Sequence, residues 1–261
     1  MIAAELAILL GVIVGLMLYV KNGQTDDAKP QTHKESVVYE VGDVIPAEEV
    51  TEELVAENFS VEDIPEDIKK SMDGNSYIEN DDIQMSDLRY VRVLHYNYDH
   101  QVQVGELVVN TAIADDCKNI FEELFTNEYE IQSMYLIDRY YTLDTGDRKQ
   151  EQEASDNNSM SANNTSAFNY REVAGTDVLS AHGYGLALDV NPLQNPSMAC
   201  NADGTLAYKD MGAEEYGDRS NVKEHMITKD DICYQIFTKY GFIWGGEWNG
   251  VLDYQHFEKV Q

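Results

Sequence analysis

The sequence predicts a globular domain in which a β-hairpin is combined with amphipathic helices. Residues 89–98 are rich in β-branched and aromatic side chains, and residues 105–110 can return as a partner strand after a turn at 99–103. Residues 112–127 then place apolar side chains at helical spacing, with acidic residues in the first turn. No unit of about 20 to 50 residues recurs, so the pattern does not indicate a repeat protein.

Two further helices have recognisable ends. Residues 64–72 predict a short helix, and residues 229–239 predict another, with Thr228 as the N-cap and Gly241 just after the end. The segments between them are less regular. Residues 131–141 are apolar and aromatic and could form a strand, although their period does not decide it.

Two polar segments are predicted to be loops. Residues 142–165 are rich in Asp, Asn and Ser and indicate a long surface loop. Residues 199–220 indicate a second loop. The first loop leads directly into a motif described below, and the second lies between two motifs.

Charge excludes one class of partner. The 261 residues have a formal net charge of −30, whereas binding to DNA or RNA requires clustered Lys and Arg. We therefore expect no nucleic acid partner. The acidity is concentrated near the N-terminus, since residues 22–90 contain nineteen Asp and Glu against five Lys and Arg. This composition is typical of a solvated spacer.

The N-terminus predicts a contact with the membrane. Residues 2–20 are apolar apart from Glu5 and two glycines, and they are long enough to cross a hydrocarbon layer of about 30 Å. A signal peptide and a buried core helix are the alternatives. The absence of a basic n-region and of a small-x-small cleavage site favours an uncleaved anchor. Lys21 on the C-terminal flank would, by charge alone, keep that flank cytoplasmic.

These observations predict three parts of the chain. Residues 1–21 form a membrane anchor, and residues 22–60 form an acidic stalk or linker that includes a solvated helix at 47–57. Residues 61–261 form the globular domain.

Two runs near the C-terminus supply the residues of a catalytic zinc site. The run Ser180–Asp189 contains His182 and Asp189, and the run 244–256 ends in His256. Two histidines and one carboxylate leave the fourth tetrahedral position to water, as catalytic zinc requires. Asp253 would take a proton from that water, and Arg171 could hold a carbonyl oxygen or a carboxylate.

The spacing of these residues sets a condition on the fold. His182 and Asp189 are seven residues apart, and a regular strand would place them on opposite faces. The Gly183-Tyr-Gly185 segment must therefore lie outside the strand or form a bulge. Asp253 and His256 similarly require a bend between them. The competing structural interpretation is that His182 and His256 are core residues, and the other four histidines lack any comparable context.

The two runs also resemble a known family. Ser-x-His-x-x-Gly-x-Ala-x-Asp at 180–189, with Trp-Gly-Gly-x-Trp and Asp-x-x-His-Phe at 244–257, is similar to the M15 metallopeptidases, the D-alanyl-D-alanine carboxypeptidase-like group that cuts peptidoglycan stem peptides. The resemblance extends upstream to Ser166–Arg171 and more weakly to 105–110. Glu247 stands where that family often has Asp.

The resemblance implies a fold and a set of roles. It implies a small α+β domain around an antiparallel sheet that bears the metal, with helices on its flanks. His182, Asp189 and His256 would bind Zn²⁺. Asp253 would be the catalytic base, and Arg171 would stabilise the transition state or position the substrate.

The implied function is hydrolysis of peptide bonds in peptidoglycan stem peptides. Two activities stay open, removal of the terminal D-Ala by a D,D-carboxypeptidase and cleavage between L-Ala and D-Glu by an endopeptidase. The alternative is a membrane-tethered module that binds zinc or the cell wall without catalysis. Because peptidoglycan lies outside the membrane, we expect a single-pass membrane protein whose domain faces the cell wall.

Overall fold

A computed structural model describes residues 37–173, 175–200, 206–208 and 212–260 of the protein. Five α-helices lie in these ranges: α1 Glu52–Glu57, α2 Glu66–Met72, α3 Ala114–Thr126, α4 Arg148–Ser161 and α5 Ile232–Lys239. The strands are β1 Ser60–Glu62, β2 Leu88–Tyr96, β3 Val102–Asn110, β4 Ser133–Met134, β5 Asn164–Thr165, β6 Ala187–Asp189, β7 Ser197–Cys200, β8 Leu206–Tyr208, β9 Ile243–Trp244, β10 Leu252–Asp253 and β11 His256–Glu258. The order of strands is β1-β2-β3, β10-β7-β8 and β6-β11-β9 in three antiparallel sheets, while β4 and β5 pair in parallel. The mixed helix and strand composition with small antiparallel sheets confirms that part of the predicted fold.

The predicted hairpin is formed by β2 and β3. Its register runs from Leu88 opposite Asn110 to Tyr96 opposite Val102. The turn begins at Asn97, two residues earlier than expected, because the Asn97 side chain accepts hydrogen bonds from two backbone amides of the loop. An Asn side chain that bonds its own loop in this way stabilises a turn at that position.

Residues 39–60, which the sequence assigns to the stalk, lie in the domain. The chain divides after Val38, and residues Tyr39–Gln261 form one unit. The amides of Gly42 and Ile45 donate to carbonyl oxygens of β3 at 2.8 Å each, and the Ile45 side chain is only 2% exposed. Backbone pairing and a few apolar side chains hold this acidic segment, so its composition did not reveal it.

The prediction of a long loop at 142–165 is wrong, because α4 occupies most of this segment. The Asp147 side chain caps this helix by accepting a hydrogen bond from the amide of Gln150. The buried face of α4 is mainly polar and consists of Ser155, Asp156, Ser159 and Met160. Such a face lacks the apolar periodicity by which a helix is recognised in sequence.

The structure also differs from the predictions for residues 131–141 and 199–220. Only β4 within residues 131–141 is a strand, and a 3-10 turn follows at Ile137–Tyr140. The expected loop at 199–220 contains β8 and the last residues of β7.

The C-terminal helix begins later than predicted. Asp231, not Thr228, is its N-cap, because the Asp231 side chain accepts a 2.8 Å hydrogen bond from the amide of Cys233. The helix then ends as expected, before Gly241, whose φ is +83°.

An aromatic core connects the helices to the strand that bears His256. Phe121 of α3 meets Phe237 of α5 edge to face, and Phe237 stacks on Phe257 of β11 with ring centroids 4.2 Å apart. All three side chains are at most 1% exposed. A close-packed core resists displacement, so β11 is held firmly where it enters the site described below.

The predicted anchor at 1–21 lies outside the described residues, as does the stalk up to residue 36. Within the described ranges, no helix combines the length and the apolar character that a membrane crossing needs.

Candidate metal centre

A tight turn lets His182 and Asp189 approach each other. The amide of Gly185 donates to the carbonyl of His182 at 3.0 Å, and β6 begins only two residues later. Gly185 has a φ of +67°, and a Cβ there would lie 2.8 Å from the amide nitrogen of Asn110. Glycine therefore permits both the conformation and the close approach to β3. The turn places His182 outside the strand that ends in Asp189, as the spacing required.

Strand pairing brings His256 to the same place. In the pairing of β11 with β6, His256 lies directly opposite Asp189. Asp253 lies in β10, opposite Ser197 of β7, and a short bend connects β10 with β11. Two different sheets therefore present Asp253 and His256 to one cavity.

The Trp244-Gly-Gly segment packs against this bend. The Trp244 indole nitrogen donates a 2.8 Å hydrogen bond to the carbonyl of Tyr254. A Cβ on Gly245 would lie 2.5 Å from the carbonyl oxygen of Asp253 and 3.2 Å from the Cβ of His256. A Cβ on Gly246 would lie 2.4 Å from the Trp244 ring. Gly245 is thus restricted by contacts with Asp253 and His256, whereas Gly246 is restricted by the Trp244 ring.

The three predicted metal ligands converge. The Nε2 atom of His182 lies 3.1 Å from Nδ1 of His256 and 3.3 Å from Oδ1 of Asp189, and the last two atoms are 3.1 Å apart. A tetrahedral zinc ion with bonds of about 2.0–2.1 Å holds its ligand atoms about 3.3 Å apart. All three side chains are buried. The donor set and its geometry fit a zinc ion.

In both His182 and His256, the ring nitrogen that faces away from the cluster forms a hydrogen bond that fixes the orientation of the imidazole. The Nδ1–H group of His182 donates to the carbonyl of Ala167 at 2.6 Å, which leaves Nε2 as the atom with a lone pair. The Nε2–H group of His256 donates to the Glu258 carboxylate at 3.2 Å, which leaves Nδ1. Such partners set the tautomer and increase the basicity of a ligating histidine.

The electrostatics of the cluster favour a carboxylate surrounded by positive charge. Burial acts to raise the pKa of Asp189, but the adjacent His182 and His256 hold it well below its usual value. Burial acts to lower the pKa of His256, but hydrogen bonds to Asp189 and Glu258 raise it to about 10. Zinc would therefore compete with a proton for His256.

Arg171 and Asp253 border the same cavity. This cavity has a volume of about 480 Å³, and its lining includes the three ligand residues, Asp253 and Arg171. The structure thus brings together all five residues that the sequence singled out.

A buried network that the sequence did not reveal holds Arg171. Its guanidinium forms an ion pair with Asp156 of α4, and both side chains are largely buried. Asp156 also accepts a 2.8 Å hydrogen bond from the side-chain amide of Asn169. The backbone N–H of Asn169 donates to the carbonyl of His182. The network therefore connects Arg171 to the turn that bears His182.

Glu258 and Asp156 contact candidate site residues, and the sequence analysis missed both of them. Glu258 lies two residues after His256 on one strand, and that spacing places both side chains on one face. This signal was available in the sequence. Asp156 gave no comparable signal, because its helix has no apolar periodicity.

The remaining described histidines lie elsewhere. His95 is buried in β2, and His100 and His225 each lie beside Glu130. Among the described residues, the group of Glu130, Glu224 and His225 is the other set close enough to hold a metal ion, but Glu224 is exposed. The His225 ring stacks on Tyr98.

Comparison with known proteins agrees with the geometry. The family described as D-alanyl-D-alanine carboxypeptidase matches residues 174–259, a range that includes the three ligand residues and Asp253 but not Arg171. Neither the curated proteins nor the solved structures contain a match to this chain. The family is generally zinc-dependent, and the match supports, at the level of the family, a hydrolytic peptidase that acts on peptidoglycan. The match over residues 174–259, the segment that carries the metal centre, supports an M15 family peptidase.

Proposed function

We propose that the protein is a zinc-dependent peptidase that hydrolyses peptide bonds in peptidoglycan stem peptides. The observation that carries this proposal is the triangle of donor atoms from His182, Asp189 and His256, with edges of 3.1 to 3.3 Å, in a cavity bordered by Asp253. A zinc ion bound by these residues would supply a Lewis acid that activates water and polarises the carbonyl of the bond to be cut.

Asp253 is the proposed general base. A carboxylate oxygen of Asp253 takes a proton from the attacking water and then delivers it to the nitrogen of the leaving amine. Its position is fixed on two sides, by the pairing of β10 with β7 and by the contact of its backbone with Gly245. A general base must be held within hydrogen-bond reach of the proton that it moves.

Arg171 is the proposed anion-binding residue. Among the described residues that line the metal cavity, it is the only Lys or Arg. Asp156 holds its Nε edge, and Nη1 donates a long hydrogen bond of 3.5 Å to the carbonyl of Glu172. The outer edge of the guanidinium could bind a substrate carboxylate or the carbonyl oxygen as it gains charge. Either contact would strengthen binding in the transition state.

Mutation of Asp253 tests the role of the base. We expect the zinc-loaded Asp253→Asn chain to retain its metal and to lose at least about 100-fold in turnover of muropeptides, in line with the loss of a general base. Glu247→Gln is a matched control in the same motif, because Glu247 forms a surface ion pair with Lys229. Unchanged turnover in Asp253→Asn would refute the assigned base.

Mass spectrometry of the digested muropeptides distinguishes the two candidate activities. Loss of one terminal alanine would indicate a carboxypeptidase, and a new cut between L-Ala and D-Glu would indicate an endopeptidase. Intact muropeptides together with bound zinc would favour the non-catalytic module.

The proposed location follows from the substrate. Peptidoglycan lies outside the membrane, so we propose an anchor at residues 1–21 with the domain on the cell-wall side. Addition of a protease to intact cells should remove the domain, and complete protection of the domain would contradict this location.

A further inference from the structure

A buried side chain in the metal cavity has a hydrogen-bond acceptor without a donor. Gln255 lines this cavity, lies between Asp253 and His256 in sequence, and is only 2% exposed. Among the described residues, no group donates a hydrogen bond to its Oε1 atom. A buried acceptor without a donor costs the folded protein free energy, and a bound molecule that supplies the donor removes this cost.

The contacts of Gln255 fix the orientation of its side-chain amide. The Nε2 group donates a weak hydrogen bond to the Met160 sulfur at 3.6 Å. Because a thioether sulfur accepts but cannot donate, the nitrogen of the amide faces Met160 and the oxygen lies on the other side. The backbone carbonyl of Gln255 accepts a 3.0 Å hydrogen bond from the amide of Val190, the neighbour of Asp189. The backbone and the side chain of Gln255 are therefore both held in place.

Helix α4 connects Gln255 to Arg171. Asp156 and Met160 both belong to the buried face of α4, and their spacing of four residues makes them neighbours on the helix surface. Asp156 forms the ion pair with Arg171, and Met160 contacts the amide of Gln255. One helix therefore positions both a hydrogen-bond donor and a hydrogen-bond acceptor of the metal cavity.

Arg171 and Gln255 together match the two hydrogen-bonding groups of a peptide bond. The guanidinium of Arg171 donates and suits a C=O group, whereas Oε1 of Gln255 accepts and suits an N–H group. Gln255 is the only Asn or Gln among the described residues that line the cavity. Its oxygen is uncharged and shielded from water, which favours an uncharged N–H group over an ammonium group, because a buried ammonium requires an opposite charge.

We infer that Gln255 is a substrate-binding residue whose Oε1 atom accepts a hydrogen bond from a backbone N–H group of the bound peptide. The inference rests on the proposed function and adds to it a contact that orients the peptide at the metal centre. Because the described residues leave this oxygen without a donor, the same group should oppose stability in the free protein and favour binding of the peptide.

Substitution by Met separates the effect on stability from the effect on binding. Gln255→Met keeps the length of the side chain and removes the acceptor. In the zinc-loaded full-length chain, we expect its KM for L-Ala-γ-D-Glu-L-Lys-D-Ala-D-Ala, which contains both candidate bonds, to rise about 3- to 10-fold, the range expected for a neutral hydrogen bond. Its Tm should equal or exceed that of the wild type. Gln255→Leu also lacks the acceptor and should raise the KM by a similar factor.

Gln194→Met is the matched control, because Gln194 is a buried glutamine whose oxygen has a donor. It is 7% exposed, its Oε1 accepts a 2.9 Å hydrogen bond from the Tyr98 hydroxyl, and it is not among the described residues that line the metal cavity. The same substitution there should lower Tm by about 2–12 °C and leave KM unchanged. Calorimetry in the Asp253→Asn chain should show that Gln255→Met raises the Kd of the pentapeptide by the same factor without turnover.

The outcomes separate the role of Gln255 from the peptidase function. Unchanged KM and Kd in Gln255→Met would overturn the role of Gln255 and leave the peptidase function in place. A decrease in Tm as large as that of Gln194→Met would do the same, because it would show that Oε1 has a donor in the free protein. Failure of the wild type to cleave either the pentapeptide or purified peptidoglycan would overturn both proposals.

Discussion

Substitution of Gly245 tests how closely the Trp-Gly-Gly segment fits the site. In Gly245→Ala, the added Cβ would lie 2.5 Å from the carbonyl oxygen of Asp253 and 3.0 Å from its Cβ. The contact is with backbone atoms of a paired strand, so no side chain can rotate away. Overpacking of this kind costs about 1–3 kcal/mol, which corresponds to a decrease in Tm of about 2–12 °C for a domain of this size.

The same substitution should impair catalysis. Relief of the overlap requires Asp253 or His256 to move, and a displacement of about 1 Å in a catalytic group can cost about 100-fold in rate. We expect thermal unfolding and kcat/KM of the zinc-loaded chain to show both losses.

Gly74→Ala is the matched control for the Gly245 experiment. Gly74 has a φ of +79° and no atom within 4 Å of an added Cβ, so alanine there adds backbone strain of about 1–2 kcal/mol without steric contact. It should lower Tm and leave kcat/KM unchanged. If Gly245→Ala kept both the Tm and the kcat/KM of the wild type, the steric argument would be refuted.

Three further substitutions test individual contacts. Glu258→Ala removes the acceptor for His256 and should weaken zinc binding about 10- to 100-fold in a chelator competition, and undiminished affinity would contradict the orienting role. Asp156→Ala removes the partner of Arg171 and should lower kcat/KM about tenfold or more while zinc is retained; unchanged kinetics would show that Arg171 needs no such support. Burial raises the pKa of Asp138 to about 6 from 3.8, so its contribution to stability is present below about pH 4 and is lost as the pH rises through 6. Urea unfolding should show the free energy of unfolding of the wild type falling relative to Asp138→Asn by about 2 kcal/mol between about pH 4 and pH 7, and parallel pH profiles would argue against this shift.

The sequence was most informative where chemistry restricts the residue type. His182, Asp189 and His256 could be identified because few side chains bind zinc, and the glycines between the first two indicated the turn that the structure contains. The hairpin of β2 and β3 could be predicted because its strands are rich in β-branched and aromatic residues that partly alternate with polar ones.

The sequence was least informative where polar contacts hold the fold. Helix α4 contributes Asp156 through a face of Ser and Asp residues, and the Ser159 hydroxyl accepts a hydrogen bond from Asn164. No hydrophobic period marks such a helix. Residues 39–60 were concealed for a related reason, since part of their backbone pairs with β3 while most of their exposed side chains are acidic.

The zinc content of the purified full-length chain tests the central claim most directly. We expect about one zinc ion per chain in the wild type and in His225→Ala, whose imidazole belongs to the other group of possible ligands, and almost none in His182→Ala or His256→Ala. Wild-type protein without stoichiometric zinc, or His256→Ala with its zinc content unchanged, would contradict the assignment of this site.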